Sequence, residues 1–155
     1  MKTLFAGLTV AAIVSAGVVT AQEKGPFAMQ IKARQGIMAY RAVNLGVLGG
    51  MAKGETEYNA EAAQKAADNL ATAVAIDASM LWPKGSDHDA DPTSEALAAI
   101  WADGSDIGAK AKAMSDAAAA MQAAAGKDID SLKAAMGPVG EACAGCHKSF
   151  RVPQN

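Results

Sequence analysis

"DSLKAAMGPVGEACAGCHKSFR", residues 130–151, is the stretch on which the reading of this chain turns. With Ile129 just ahead of it, the apolar positions are Ile129, Leu132, Met136, Val139, Cys143, Cys146 and Phe150. The steps alternate between three and four residues, the spacing of one apolar stripe on an amphipathic helix. Both cysteines of the chain lie on that stripe, and His147 follows the second. The stretch predicts a helix that packs with its first half and carries chemistry on the same face of its second half.

Three more helices are expected upstream. Asp128 or Asp130 in "GKDID" is the candidate N-cap of the last one, and Pro153 stops it. Pro138, between Gly137 and Gly140, is expected to kink it or make its first part irregular. A helix from about Ser94 to Ala125, open to a break at "ADGSD", shows a stripe of Ile107, Ala111, Met114, Ala118, Met121 and Ala125. Another is expected from about Ala60 to Met80. The first runs from about Pro26 to Lys53, with Phe27, Ile31, Met38, Ala42, Leu45 and Gly49 on one face and Arg34 and Gln35 on its flanks. "KGETEYN" and "GKDID" are short links, and "LWPKGSDHDADPTSE" is a long, turn-rich one. Four helices with one stripe each predict an all-α protein, an antiparallel four-helix bundle.

The first residues, "MKTLFAGLTVAAIVSAGVVTA", join a lysine, an apolar run and small residues at a cleavage position. Residues 1–21 read as a signal peptide that exports the chain and is cleaved, leaving residues 22–155 as one domain. No later segment is apolar enough to span a membrane. Loss of Lys2 turns the net charge of −2 into −3. That mildly acidic balance argues against nucleic acid as a partner. Only 5% of the chain is aromatic, and much of its apolar 51% is alanine, which buries little area. Small side chains leave room for a large flat cofactor inside the bundle.

Cys143-Ala144-Gly145-Cys146-His147 is C-x-x-C-H, the attachment pattern of a c-type haem. On a helix, positions i, i+3 and i+4 share a face. Two thiols there can take the two vinyl groups of one porphyrin edge, and the imidazole beside them can reach the iron. A Cys143–Cys146 disulfide is the simplest alternative in an oxidising compartment. A redox dithiol lacks its βαβ setting here, and zinc lacks ligands, since His88 is distant and only two cysteines exist. Only eight residues follow His147, so a second axial ligand has to come from upstream.

An exported four-helix chain ending in C-x-x-C-H resembles the class II cytochromes c, which comprise cytochrome c prime and its low-spin, methionine-ligated relatives. "KARQGIM", "GMAKGE", "AAIW" and "DSLKAAMGPVGEACAGCHKSFR" carry the resemblance, which covers essentially the whole of residues 22–155. It implies haem inside the bundle with His147 as proximal ligand. It also implies that Arg34, Gln35 and Glu95 approach the haem or its propionates. The family divides on the position matched by Met38: a bulky non-ligand leaves an open site for NO or CO, whereas a methionine sulfur fills it. "VLGGMAKGE" is similar to the low-spin branch.

Met38 is the expected sixth ligand, since a soft thioether suits the iron of an electron carrier. Met29 lies nine residues earlier, on the opposite helix face at ~100° per residue. Trp82 is expected to cover a haem edge, and Arg151 to serve a propionate or the helix C-terminus. His88 reads as a solvated loop residue. The expected protein is a periplasmic one-electron carrier with one covalent haem, redox partner proteins, no catalytic residue and homodimers as a further expectation from relatives.

Overall fold

A computed structural model describes residues 25–154. The expected signal peptide lies outside the described residues. Four α-helices follow one another: α1 (Ala28–Lys53), α2 (Ala60–Ala75), α3 (Ile107–Ala124) and α4 (Ile129–Phe150). Short 3-10 turns at Ser79–Leu81 and Ala98–Trp101 punctuate the long α2–α3 connection. None of the described helices is long and apolar enough to cross a membrane.

Local chemistry sets the helix ends. Gly54 ends α1 at φ 75°, a left-handed conformation that costs glycine little, and its N–H meets the open carbonyls of Gly50 and Met51. Asn59 caps α2 by accepting from Ala62 N at 2.9 Å. Asp128 caps α4 by accepting from Ser131 N at 2.7 Å. Pro138 does not interrupt α4, which is helical from Ile129 to Phe150. Pro138 and Ala134 both face solvent, so water can reach the carbonyl that proline cannot bond.

Cross-helix contacts show that neighbours run antiparallel. Asn69 donates to Asn44 at 3.1 Å between α1 and α2, and further along Arg41 reaches Ala73 O. Gln122 O, near the end of α3, accepts from Gln64 Nε2 in the first half of α2. Cys143 of α4 meets Met114 of α3. A Cβ on Gly49 of α1 would lie 3.8 Å from Met136 of α4.

The main core fills one end of this bundle. It joins Leu48 and Met51 of α1, Ala63, Ala66, Ala67 and Leu70 of α2, Ala117, Ala118 and Met121 of α3, and Leu132, Ala135 and Val139 of α4. Here the alanines bring helix against helix. A smaller cluster of Ala96, Ile100 and Phe150 forms at the opposite end, flanked by Trp82, Trp101, Ile107 and Cys146.

Two helix boundaries differ from expectation. α2 stops at Ala75, five residues short of Met80. Residues Ser94 to Asp106 are not α-helical, apart from the 3-10 turn. Their backbone is engaged elsewhere: Leu97 N donates to Phe150 O at 2.9 Å, and Val152 N donates to Glu95 O at 2.8 Å. Those bonds need extended chain and tie the segment after α4 to the long connection.

Leu132 is fully buried in the main core. Leu132→Ala is expected to cost about 2–5 kcal/mol of stability. A urea titration checks this, and an unshifted midpoint contradicts the assignment of this end as the packed core.

Candidate functional site

The second half of α4 carries the site. Cys143 and Cys146 lie one turn apart, both half-buried and neither in a disulfide. Cys143 packs against the main core and Cys146 against the smaller cluster, so the two cores meet at the thiol pair. Burial pushes both thiols above the usual cysteine range, and the Arg41 guanidinium pulls the other way. They are therefore thiols rather than thiolates at neutral pH. His147 is half-buried as well. Burial chiefly, and Arg151 in addition, hold its imidazole below the ordinary value, while Glu95 opposes them. The imidazole is neutral at pH 7, with a lone pair available to a metal.

Arg34 and Gln35 were expected at the haem, and the structure gives them other contacts. Arg34 is 4% exposed and clamps the long connection. Its Nη1 donates to Leu81 O at 3.1 Å and to Ser86 Oγ at 2.7 Å. Its Nη2 donates to Ser86 O and to Ser94 Oγ. Trp82 stacks on the guanidinium, 4.4 Å from ring centroid to Cζ. Gln35 donates to Thr93 O at 2.8 Å. Both terminal nitrogens of Arg34 are engaged within the chain, holding the long connection against α1. Burial lowers its pKa, whereas Asp87 and Asp91 support the charge from a distance.

The other expected residues are less bound. Trp82 supports Arg34 and lies 6.5 Å from Trp101, whose indole donates to Trp82 O. Glu95 is exposed and joins the site through its backbone bond to Val152. Arg151 N donates to His147 O, and Arg151 pairs with Ala96 in an antiparallel bridge. His88 is half-buried rather than solvated, and Nδ1 donates to Ser94 O at 2.7 Å. Met38 is 39% exposed on α1, whereas Met29 is 76% exposed.

Sequence reasoning missed Arg41, one turn beyond Met38. Its Nη2 donates to Ala73 O at 2.7 Å, a carbonyl in the last turn of α2. Its Nη1 approaches Met38 Sδ at 3.8 Å. The signal was present: Arg41 sits three residues after Met38 and so shares its face. Ser86 and Ser94 were also missed. Their contacts to Arg34 span 52 and 60 residues, and no local pattern announces them.

A family model described as "Cytochrome C′" matches residues 29–151. The chain belongs to the cytochrome c′ family. Cytochrome c-554 of Cereibacter sphaeroides is 47% identical over 131 residues, covering 84% of this chain and 86% of that protein. Cytochrome c′ of the same organism is 41% identical over 122 residues, covering 79% of this chain and 82% of its own length. The solved structure of cytochrome c′ from Rhodobacter Spheriodes shares 39% identity at a TM-score of 0.80, covering 83% of this chain and 98% of that one.

Members of the cytochrome c′ family bind one covalent c-type haem, and the residues present fit it. Two protonated, unpaired thiols one turn apart, a neutral imidazole on the same helix and a thioether on α1 form a suitable donor set.

Arg34→Leu leaves the carbonyl of Leu81 without its donor and frees the Ser86 and Ser94 hydroxyls from the clamp, at an expected cost of about 1–3 kcal/mol. Hydrogen exchange should accelerate in residues 82–95 while the four helices keep their protection. Unchanged exchange in that segment contradicts the clamp.

Proposed function

We propose that this chain is a periplasmic one-electron carrier in which Cys143 and Cys146 hold the haem and His147 and Met38 ligate its iron. The iron supplies the one-electron redox chemistry. The residues of the chain bind, orient and shield it. Cys143 and Cys146 fix one edge by thioether bonds, His147 presents a neutral nitrogen, and Met38 presents a soft sulfur. An electron carrier of this kind needs no catalytic residue. Export follows from reading residues 1–21 as a signal peptide, and thioether attachment of haem suits that compartment.

One observation carries the choice of Met38. Arg41 contacts the Met38 sulfur and also lies within electrostatic reach of both thiols. The contact and the reach together support a place for this sulfur on the side of α1 nearest Cys143 and Cys146. The alternative is an open sixth site that binds NO or CO. Met38→Ala separates the two. The parent holoprotein, once reduced, is expected to ignore CO, whereas the variant binds it at once and keeps its haem in acid acetone. A parent protein that takes up CO immediately overturns ligation by Met38.

A second copy of this chain is the partner that the outer face of α1 fits. Tyr40, Val43 and Val47 are exposed at spacings of three and four, and Met29 falls on the same stripe. Val43→Glu is expected to convert dimers to monomers in sedimentation without changing the visible spectrum. A parent protein that sediments as a monomer contradicts this pairing.

A further inference from the structure

Arg41 is a half-buried cation whose terminal nitrogens meet a backbone carbonyl and a thioether. Lys53, Lys110 and Lys112 meet carboxylates at the surface. Both terminal nitrogens of Arg34 bond to the loop that it clamps. Arg41 has no acidic partner within salt-bridge distance among the described residues. Among those residues its Nε is also the one buried side-chain nitrogen or oxygen that lacks a hydrogen-bond partner.

Its placement has a structural cause. α2 ends at Ala75, so the carbonyl of Ala73 has no helical N–H to accept. The guanidinium supplies that donor and sits at the negative end of the α2 dipole. The same fork extends its other terminal nitrogen to Met38 Sδ. A guanidinium is planar and rigid, so fixing one nitrogen on α2 fixes where the other points. A thioether sulfur has two lone pairs. One that receives an N–H leaves the other for a metal.

We infer that Arg41 is a positioning residue of the redox site, which holds the Met38 sulfur toward α4 and keeps an uncompensated positive charge beside the iron. The inference rests on the proposed ligation by Met38. Both effects act in one direction. Each reduction adds one electron to the iron, delivered by a redox protein or an electrode, and no bond of the chain breaks. A fixed positive charge nearby favours the state that has gained the electron. An N–H donated to the sulfur draws density from it and weakens it as a donor to ferric iron. Half-burial leaves this charge poorly screened by salt.

The test is a potentiometric titration of the holoprotein and two variants, Arg41→Lys and Arg41→Gln, at low and at high salt. Arg41→Gln is expected to lower the reduction equilibrium at least tenfold, ~59 mV for one electron. Arg41→Lys retains the charge without the fork and should recover most of that loss. The difference between Gln and Lys should persist at high salt. Equal potentials for the parent and Arg41→Gln overturn the inference, as does a difference that high salt abolishes. The methionine-to-iron charge-transfer band of the parent, read in the same cell, reports ligation by Met38 separately. Its absence refutes that ligation and with it the positioning role, whatever the potentials show. If Arg41→Gln loses helix through its weakened α2 cap, the Lys variant and the parent still compare. A tenfold or larger gap between them overturns the assignment to charge.

Discussion

The 3.6-residue repeat of α4 constrains everything that the molecule does. One stripe of that helix contributes Leu132 and Val139 to the main core and then, without changing face, Cys143 and Cys146 to the site. Burial of the first half fixes the rotation of the helix about its axis, and that rotation fixes where the thiols point. Turning α4 by a single residue would pull Leu132 from the core and carry the Cys143 sulfur away from Met114 of α3. The register of the packing and the register of the chemistry are therefore the same quantity.

The second constraint is the buried Arg34. A guanidinium removed from water needs acceptors for its N–H groups. Here it takes two serine hydroxyls and two carbonyls from a connection that lacks regular structure. The exchange is mutual. The loop satisfies the cation, and the cation holds the loop against α1, so that Trp82, Ile100 and Phe150 can close the end of the bundle. The site thus has a packed helical core on one side and a pinned loop on the other, with the thiols at the junction.

Features governed by short-range repeats were legible in the sequence. The four helices, the stripe of α4, the Asp128 cap and the C-x-x-C-H pattern all rest on residues within a few positions of one another. Cofactor class followed from the same five residues. Long-range exchange of backbone and side-chain bonds was not legible. Glu95 and Leu97 look helical locally, yet their backbone groups pair with Val152 and Phe150. Arg34 and Gln35 stand on the flank of an apolar face, and their bonds to Ser86 and Thr93 join segments more than fifty residues apart, beyond any local pattern. Pro138 stays inside a continuous helix because its cost depends on whether the orphaned carbonyl is wet, and that depends on burial. Composition alone does not reveal which alanines close the bundle, as Ala63, Ala66, Ala67, Ala117 and Ala118 do.

The identity of the group opposite His147 is the central claim, and proton NMR of the reduced holoprotein tests it most directly. A methionine methyl bound to low-spin ferrous haem lies in the shielding cone of the porphyrin. The account predicts one three-proton singlet far upfield of all other methyl signals, which labelling assigns to Met38. A spectrum without that singlet, or one broadened by high-spin ferrous iron, contradicts it.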